Sequence, residues 1–87
     1  MDKNLKKKIE EKVEETLANS TEIQRLVKSL RKVEDSESFI FGIVVGRIYN
    51  SFHYQSKRIL GREPTPKEFE EFIEYVKNRK SDFKNLW

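Results

Sequence analysis

The chain has 87 residues, of which 38% are charged, with a net charge of +3 and no cysteine. That length allows one domain with a small core, whose stability is marginal unless something adds to it. The missing cysteines exclude disulfides and thiolate metal sites, which fits a reducing compartment.

Glu and Lys lead the composition with twelve each, and Gln occurs twice. Lys/Glu enrichment of this kind is the compositional trend of thermophile proteins. The opening residues MDKNLKKKIEEKVEE are basic, but no apolar core follows as a signal peptide would require. The longest apolar run, Phe39 to Val45, is far short of the ~20 residues that span a bilayer. The expectation is a soluble, cytoplasmic chain with no membrane partner.

Residues 5–17 carry Leu5, Ile9, Val13 and Leu17 at every fourth position. This predicts a first helix with one narrow apolar stripe, packed on a single neighbour. Asn19, Ser20 and Thr21 interrupt it and offer cap oxygens to a second helix. There Ile23, Leu26, Val27, Leu30 and Val33 repeat at helical spacing, ending near Glu34-Asp35. Ser36 or Ser38 is the expected cap of a third helix running to about Leu60, where Gly61 supplies a stop. Phe41, Val45, Ile48, Phe52 and Ile59 share one face, interrupted by Gln55. The first half of this helix is apolar nearly all round, which predicts burial on most sides.

Thr65-Pro66-Lys67-Glu68 reads as the start of a fourth helix. Thr65 suits the N-cap, Pro66 the first helical position and Glu68 the reciprocal partner of a capping box. Phe69, Phe72, Ile73 and Val76 follow on one face, with acidic residues early and basic residues late, as the helix dipole favours. The tail carries Phe83, Leu86 and Trp87, so residues 80–87 are expected to dock. GREPTP, followed by an acidic helix start, resembles a phrase found between helices in bacterial sigma factors. The likeness covers about eight residues and reflects shared capping chemistry, not kinship. No strand alternation or internal repeat is present. The fold class is all-α: one domain over residues 1–87, with four helices and a long, mostly buried third helix.

The charge is localised. Residues 1–37 hold nine basic and nine acidic side chains, and residues 64–87 hold five of each. Residues 38–63 hold Arg47, Lys57, Arg58 and Arg62 against Glu63 alone, so the whole surplus lies on the third helix and its exit. On a helix, Arg47, Asn50, Tyr54, Lys57 and Arg58 share a face, flanked by Ser51 and His53. Such a face suits phosphates, and its tyrosine suits an unpaired base. Set against this, a buried helix needs a wet side, and the Glu-rich first and fourth helices can neutralise it. Two smaller basic groups are weaker signals. Lys3, Lys6, Lys7 and Lys8 read as a solubilising end or a frayed basic arm over residues 1–8. Arg25, Lys28, Arg31 and Lys32 are partly offset by Glu22 and Glu34.

A helix-turn-helix reading fails, because a recognition helix exposes polar residues at its start. The third helix begins with an apolar run and the fourth with KEFEEFIE. Gly42 and Gly46 form GxxxG inside the apolar half of the third helix. Glycine in a helix interior costs up to about 1 kcal/mol, so two imply close approach of another backbone. The partner is another helix of the same chain, the favoured expectation, or the same helix of a second copy. Tyr49 and His53 lie beside them on the same seam. His53, with no second His or Cys, reads as a hydrogen-bonded residue at the core edge and not as a metal ligand. No nucleophile with a paired base, phosphate loop or dinucleotide fingerprint occurs, so no enzyme activity, cofactor or small-molecule substrate is expected. The leading expectation is a small basic protein that binds nucleic acid or a ribonucleoprotein surface through Arg47, Asn50, Tyr54, Lys57, Arg58 and Arg62. The alternative is a protein–protein module or homodimer with Gly42 and Gly46 at the seam.

Overall fold

The computed structural model describes residues 1–30 and 32–84. It contains four helices, α1 (Lys3–Ala18), α2 (Ser20–Ser29), α3 (Ser36–Leu60) and α4 (Pro66–Lys84). No strand occurs among the described residues. The class is all-α, as the periodicities predict. At 1.5 Å per residue α3 is about 37 Å long, close to the 40 Å long dimension of the molecule. It touches each of the other three helices.

The core forms where the apolar stripes meet. Leu5, Ile9 and Val13 of α1, Val44, Ile48 and Phe52 of α3, and Phe83 of α4 are fully or almost fully buried. Phe52 stacks on Phe72 of α4, with ring centroids 4.4 Å apart and planes within 8°. Thr16 and Ser56 are also fully buried. Each hydroxyl donates to the carbonyl four residues back, Thr16 to Lys12 and Ser56 to Phe52, at 2.7 Å. Burying these hydroxyls therefore leaves no donor unsatisfied.

The helix boundaries differ from expectation where side chains compete for the backbone. Residues 3–8 lie within α1. Asp2 caps α1, its carboxylate accepting from the Asn4 and Leu5 N–H groups at 2.9 Å, and the Met1 ammonium pairs with Glu71 on α4. Asn19 gives α2 no side-chain cap; its amide nitrogen donates to the Glu15 carbonyl at the end of α1. α2 stops at Ser29, short of the expected Glu34. The Ser29 hydroxyl donates to the Leu26 carbonyl, and Val33 packs against the core from outside the helix. α3 is capped by Asp35, not by either serine; Asp35 accepts from the Ser38 N–H at 3.0 Å and its hydroxyl at 2.8 Å. Residues 80–84 are the last turn of α4, anchored by buried Phe83; Leu86 and Trp87 lie outside the described residues.

The α3–α4 corner matches its sequence signature. Gly61 is left-handed at φ 70° and its N–H donates to the Lys57 carbonyl, a conformation that glycine adopts without a Cβ clash. The Thr65 N–H donates to Glu68 at 2.8 Å and the Glu68 N–H donates to Thr65 Oγ1 at 3.1 Å. Arg62 adds a fork of two bonds to the same carboxylate, at 2.7 and 3.3 Å. The Arg62 guanidinium first, and the Thr65 N–H second, hold the Glu68 carboxyl down at about 2 from an ordinary 4.5.

Two outcomes follow. Phe52→Ala is expected to lower the unfolding free energy by about 3–5 kcal/mol, measured by urea denaturation. A carboxyl held low in the folded state stabilises it above its unfolded value, and that contribution fades as pH falls through the folded one. Glu68→Gln should therefore be less stable than wild type at neutral pH, with the gap narrowing between pH 4.5 and 2. Thermal melts across that range check this, and a constant gap would refute the assignment.

Candidate nucleic-acid interface

Around α3, successive residues turn by about 100°. The buried positions Ile40, Ser51, Val44, Ile48, Phe52 and Ser56 cover an arc of about 160° on that spacing. α1, α2 and α4 dock there. The polar face borders one edge of this arc. Lys12 of α1 and Arg47, Asn50, Ser51, Tyr54 and Gln55 of α3 line a shallow hollow between the two helices. Tyr54 is the most exposed large hydrophobic side chain of the described residues, at 62%. Ser51 is buried, and neither it nor Asn50 makes a side-chain hydrogen bond among the described residues.

The cations expected on this face do not gather into one free patch. Glu15, on α1, bridges Lys12 at 3.2 Å and Arg47 at 3.4 Å. Lys57 pairs with Glu63 at 2.9 Å, which raises the Lys57 ammonium and lowers the Glu63 carboxyl from their ordinary values. Arg62 is committed to Glu68 at the corner. Among the described residues Arg58 donates only to Gln55, at 3.4 Å, beside the hollow. Each of these pairs has at least one exposed partner, Lys12 and Arg47 being half-buried and Glu68 buried. Exposed pairs are worth about 0–1 kcal/mol, so a phosphate can displace them.

Of the six predicted binding residues, the structure brings Arg47, Asn50 and Tyr54 together and puts Arg58 at the edge. Lys57 and Arg62 serve the helix exit instead. Lys12 was not foreseen, because it comes from another helix and is one of five lysines in α1. Nothing in the local pattern singles it out.

The glycine seam departs further from expectation. Gly42 and Gly46 are exposed, and a Cβ built on either would have no atom of the chain within 4 Å. Close approach of a second helix in the same chain does not occur. Phe39 and Tyr49, one turn away on either side, are 42% and 44% exposed. The apolar half of α3 is therefore open along one side instead of buried on most. Leu26 and Leu30 of α2, expected in the core, are 53% and 49% exposed, and Leu26 shares a groove with Ile43 and Arg47 of α3. On the α4 side, Phe69 is exposed, with its ring 6.4 Å from Tyr49. His53 sits at the core edge as expected. Its ring meets Tyr49 edge-on at 4.8 Å, and Nδ1 lies 3.2 Å from Glu63.

Among the described residues, no helix is long and apolar enough to cross a membrane. Nor do they hold a cluster of three or more His, Cys, Asp or Glu residues that could take a metal ion. No family model, curated protein or solved structure matches the chain.

Because Tyr54 makes little contact with the core, Tyr54→Ala should change stability by no more than about 0.5 kcal/mol. Urea denaturation checks this, and a larger loss would mark Tyr54 as structural.

Proposed function

We infer that the chain binds single-stranded nucleic acid at the hollow between α1 and α3. The observation that carries this reading is one collection of groups. Two cations, Lys12 and Arg47, stand with the unbonded side chains of Asn50 and Ser51 and with exposed Tyr54. Phosphate oxygens accept from Ser51 and Asn50 while Arg47 and Lys12 neutralise their charge, with Arg58 at the rim. Tyr54 offers a face on which an unpaired base stacks. Single strands suit the hollow better than duplex, because the acidic start of α4 and the apolar start of α3 provide no reading helix for a groove. A ribonucleoprotein surface exposing single-stranded RNA meets the same requirements. A second reading, a protein–protein module with Gly42 and Gly46 at the seam, is favoured by the open space above both glycines.

Titration of a labelled single-stranded oligonucleotide and its duplex, at two salt concentrations, tests the first reading. Wild type is expected to prefer the single strand, with affinity falling by about 0.7 in log K per log salt for each phosphate contacted. Arg47→Glu/Arg58→Glu should lose this binding while circular dichroism stays helical. Glu15→Gln removes the carboxylate that bridges both cations and should tighten binding and steepen the salt slope. No binding by wild type at low salt, or no gain from Glu15→Gln, would overturn the reading.

A further inference from the structure

We propose that the open face of α3 is the contact surface for a second copy of the same helix, running antiparallel, with the two-fold axis level with Val44. This rests on the second reading above and names its partner and register. The exposed stripe is built from Asp35 at the N-cap, then Phe39, Gly42, Gly46, Tyr49 and His53. These positions are separated by four, three, four, three and four residues. That is the a/d spacing of a heptad seam; within the chain Tyr49 meets Phe69 and Phe72 of α4 on one side, while both glycines stay open.

The stripe also reads the same in both directions. About Val44, Gly42 mirrors Gly46, Phe39 mirrors Tyr49, and Asp35 mirrors His53. An isologous two-fold contact needs this property, since residue i must meet residue j while j meets i. In the antiparallel register each glycine lies level with the other glycine of the partner helix, so the backbones can close together where no side chain intervenes. Each Phe39 packs beside the opposite Tyr49 and removes two half-exposed rings from water.

The ends of the stripe supply complementary chemistry. Asp35 is exposed, and its two bonds to Ser38 leave acceptor capacity on its carboxylate. His53 uses Nδ1 toward Glu63, and its other ring nitrogen makes no hydrogen bond among the described residues. Nδ1 faces a carboxylate and so carries a proton, which makes the second nitrogen a donor only in the imidazolium; an antiparallel pair sets that imidazolium N–H against Asp35 of the second copy at both ends. A parallel pair would set Asp35 against Asp35 and Phe39 against Phe39, with like charges facing. The flanking exposed residues, Leu26 of α2 and Phe69 of α4, border the seam and add apolar area to it.

Sedimentation equilibrium of the full chain tests the association, and pulsed electron–electron resonance tests the register. Wild type is expected to form a dimer. Gly42→Lys/Gly46→Lys should stay folded, because both positions have open space and lysine is the better helix former. Its self-association should weaken by about 100-fold or more, since facing like charges cost several kcal/mol and every 1.4 kcal/mol is tenfold. A spin label on Lys57→Cys, unique in a chain without cysteine, should report about 40 Å between copies from the helical rise. A parallel pair would put the labels about 10–15 Å apart, on adjacent helices. A dimer with the short distance would overturn the antiparallel register while leaving the face as an interface. A dimer untouched by the lysine variant would overturn the seam, and a monomeric wild type would overturn both the dimer and its register.

Discussion

Val44, Ile48 and Phe52 lie on α3 with no solvent exposure, and the other three helices all dock around the arc that these side chains define. That arrangement is the constraint on everything else. Three neighbours laid along about 160° of a helix's circumference bury its interior side and leave the opposite side bare. The chain has no fifth helix among the described residues to cover it. Phe39, Gly42, Gly46 and Tyr49 are therefore outside not because they are polar but because the supply of helices has run out. A small domain commonly meets this limit by adding a metal, a disulfide or a second subunit. The cysteines are missing here, and the apolar half of α3 remains available.

The same packing decides the fate of the charges. α1 brings Glu15 against Arg47 and Lys12, and the α3–α4 turn brings Glu63 and Glu68 against Lys57 and Arg62. A surplus that looks like one basic stripe along the chain becomes a set of local pairs in three dimensions. What distinguishes the hollow is less its cations than its unused hydrogen-bonding groups, Asn50 and buried Ser51, beside an aromatic ring in water. Arg79 works differently. It ties α4 to α1 through Glu14 at 3.0 Å and holds Asp82 on its own helix at 2.7 Å, serving the fold and not the hollow.

The four helices, the glycine stop at Gly61 and the reciprocal cap at Thr65 and Glu68 were legible in the sequence, because each is set by residues within one or two turns. The inner face of α3 was partly legible. Ile48 and Phe52 fell on the expected stripe, but Val44 and the hydroxyls of Ser51 and Ser56 did not. Hydroxyls enter a core when their own helix satisfies them, as Ser56 shows, and periodicity cannot report that. Leu26 and Leu30 show the opposite failure. Their spacing suits a core, but α2 is short and presents only Ile23 and Val27 inward. Half of the candidate site, Arg47, Asn50 and Tyr54, followed from helical spacing. Lys12 did not, since a residue contributed from a distant helix leaves no local trace. The glycines suggested close approach of another backbone, and no helix of the chain makes it, which local spacing could not reveal.

The corner between α3 and α4 has a kinetic side. Its bonds, from Gly61 to Lys57, Thr65 to Glu68 and Arg62 to Glu68, join residues only three to six positions apart. The tie from Arg79 to Glu14 spans 65 positions, and closing a loop costs more entropy as it lengthens, though slowly. The turn thus rests on short closures, while the helices it joins depend on distant partners. A chain released from its core would lose the α1–α4 tie at once, yet still carry the instruction to stop one helix and start the next.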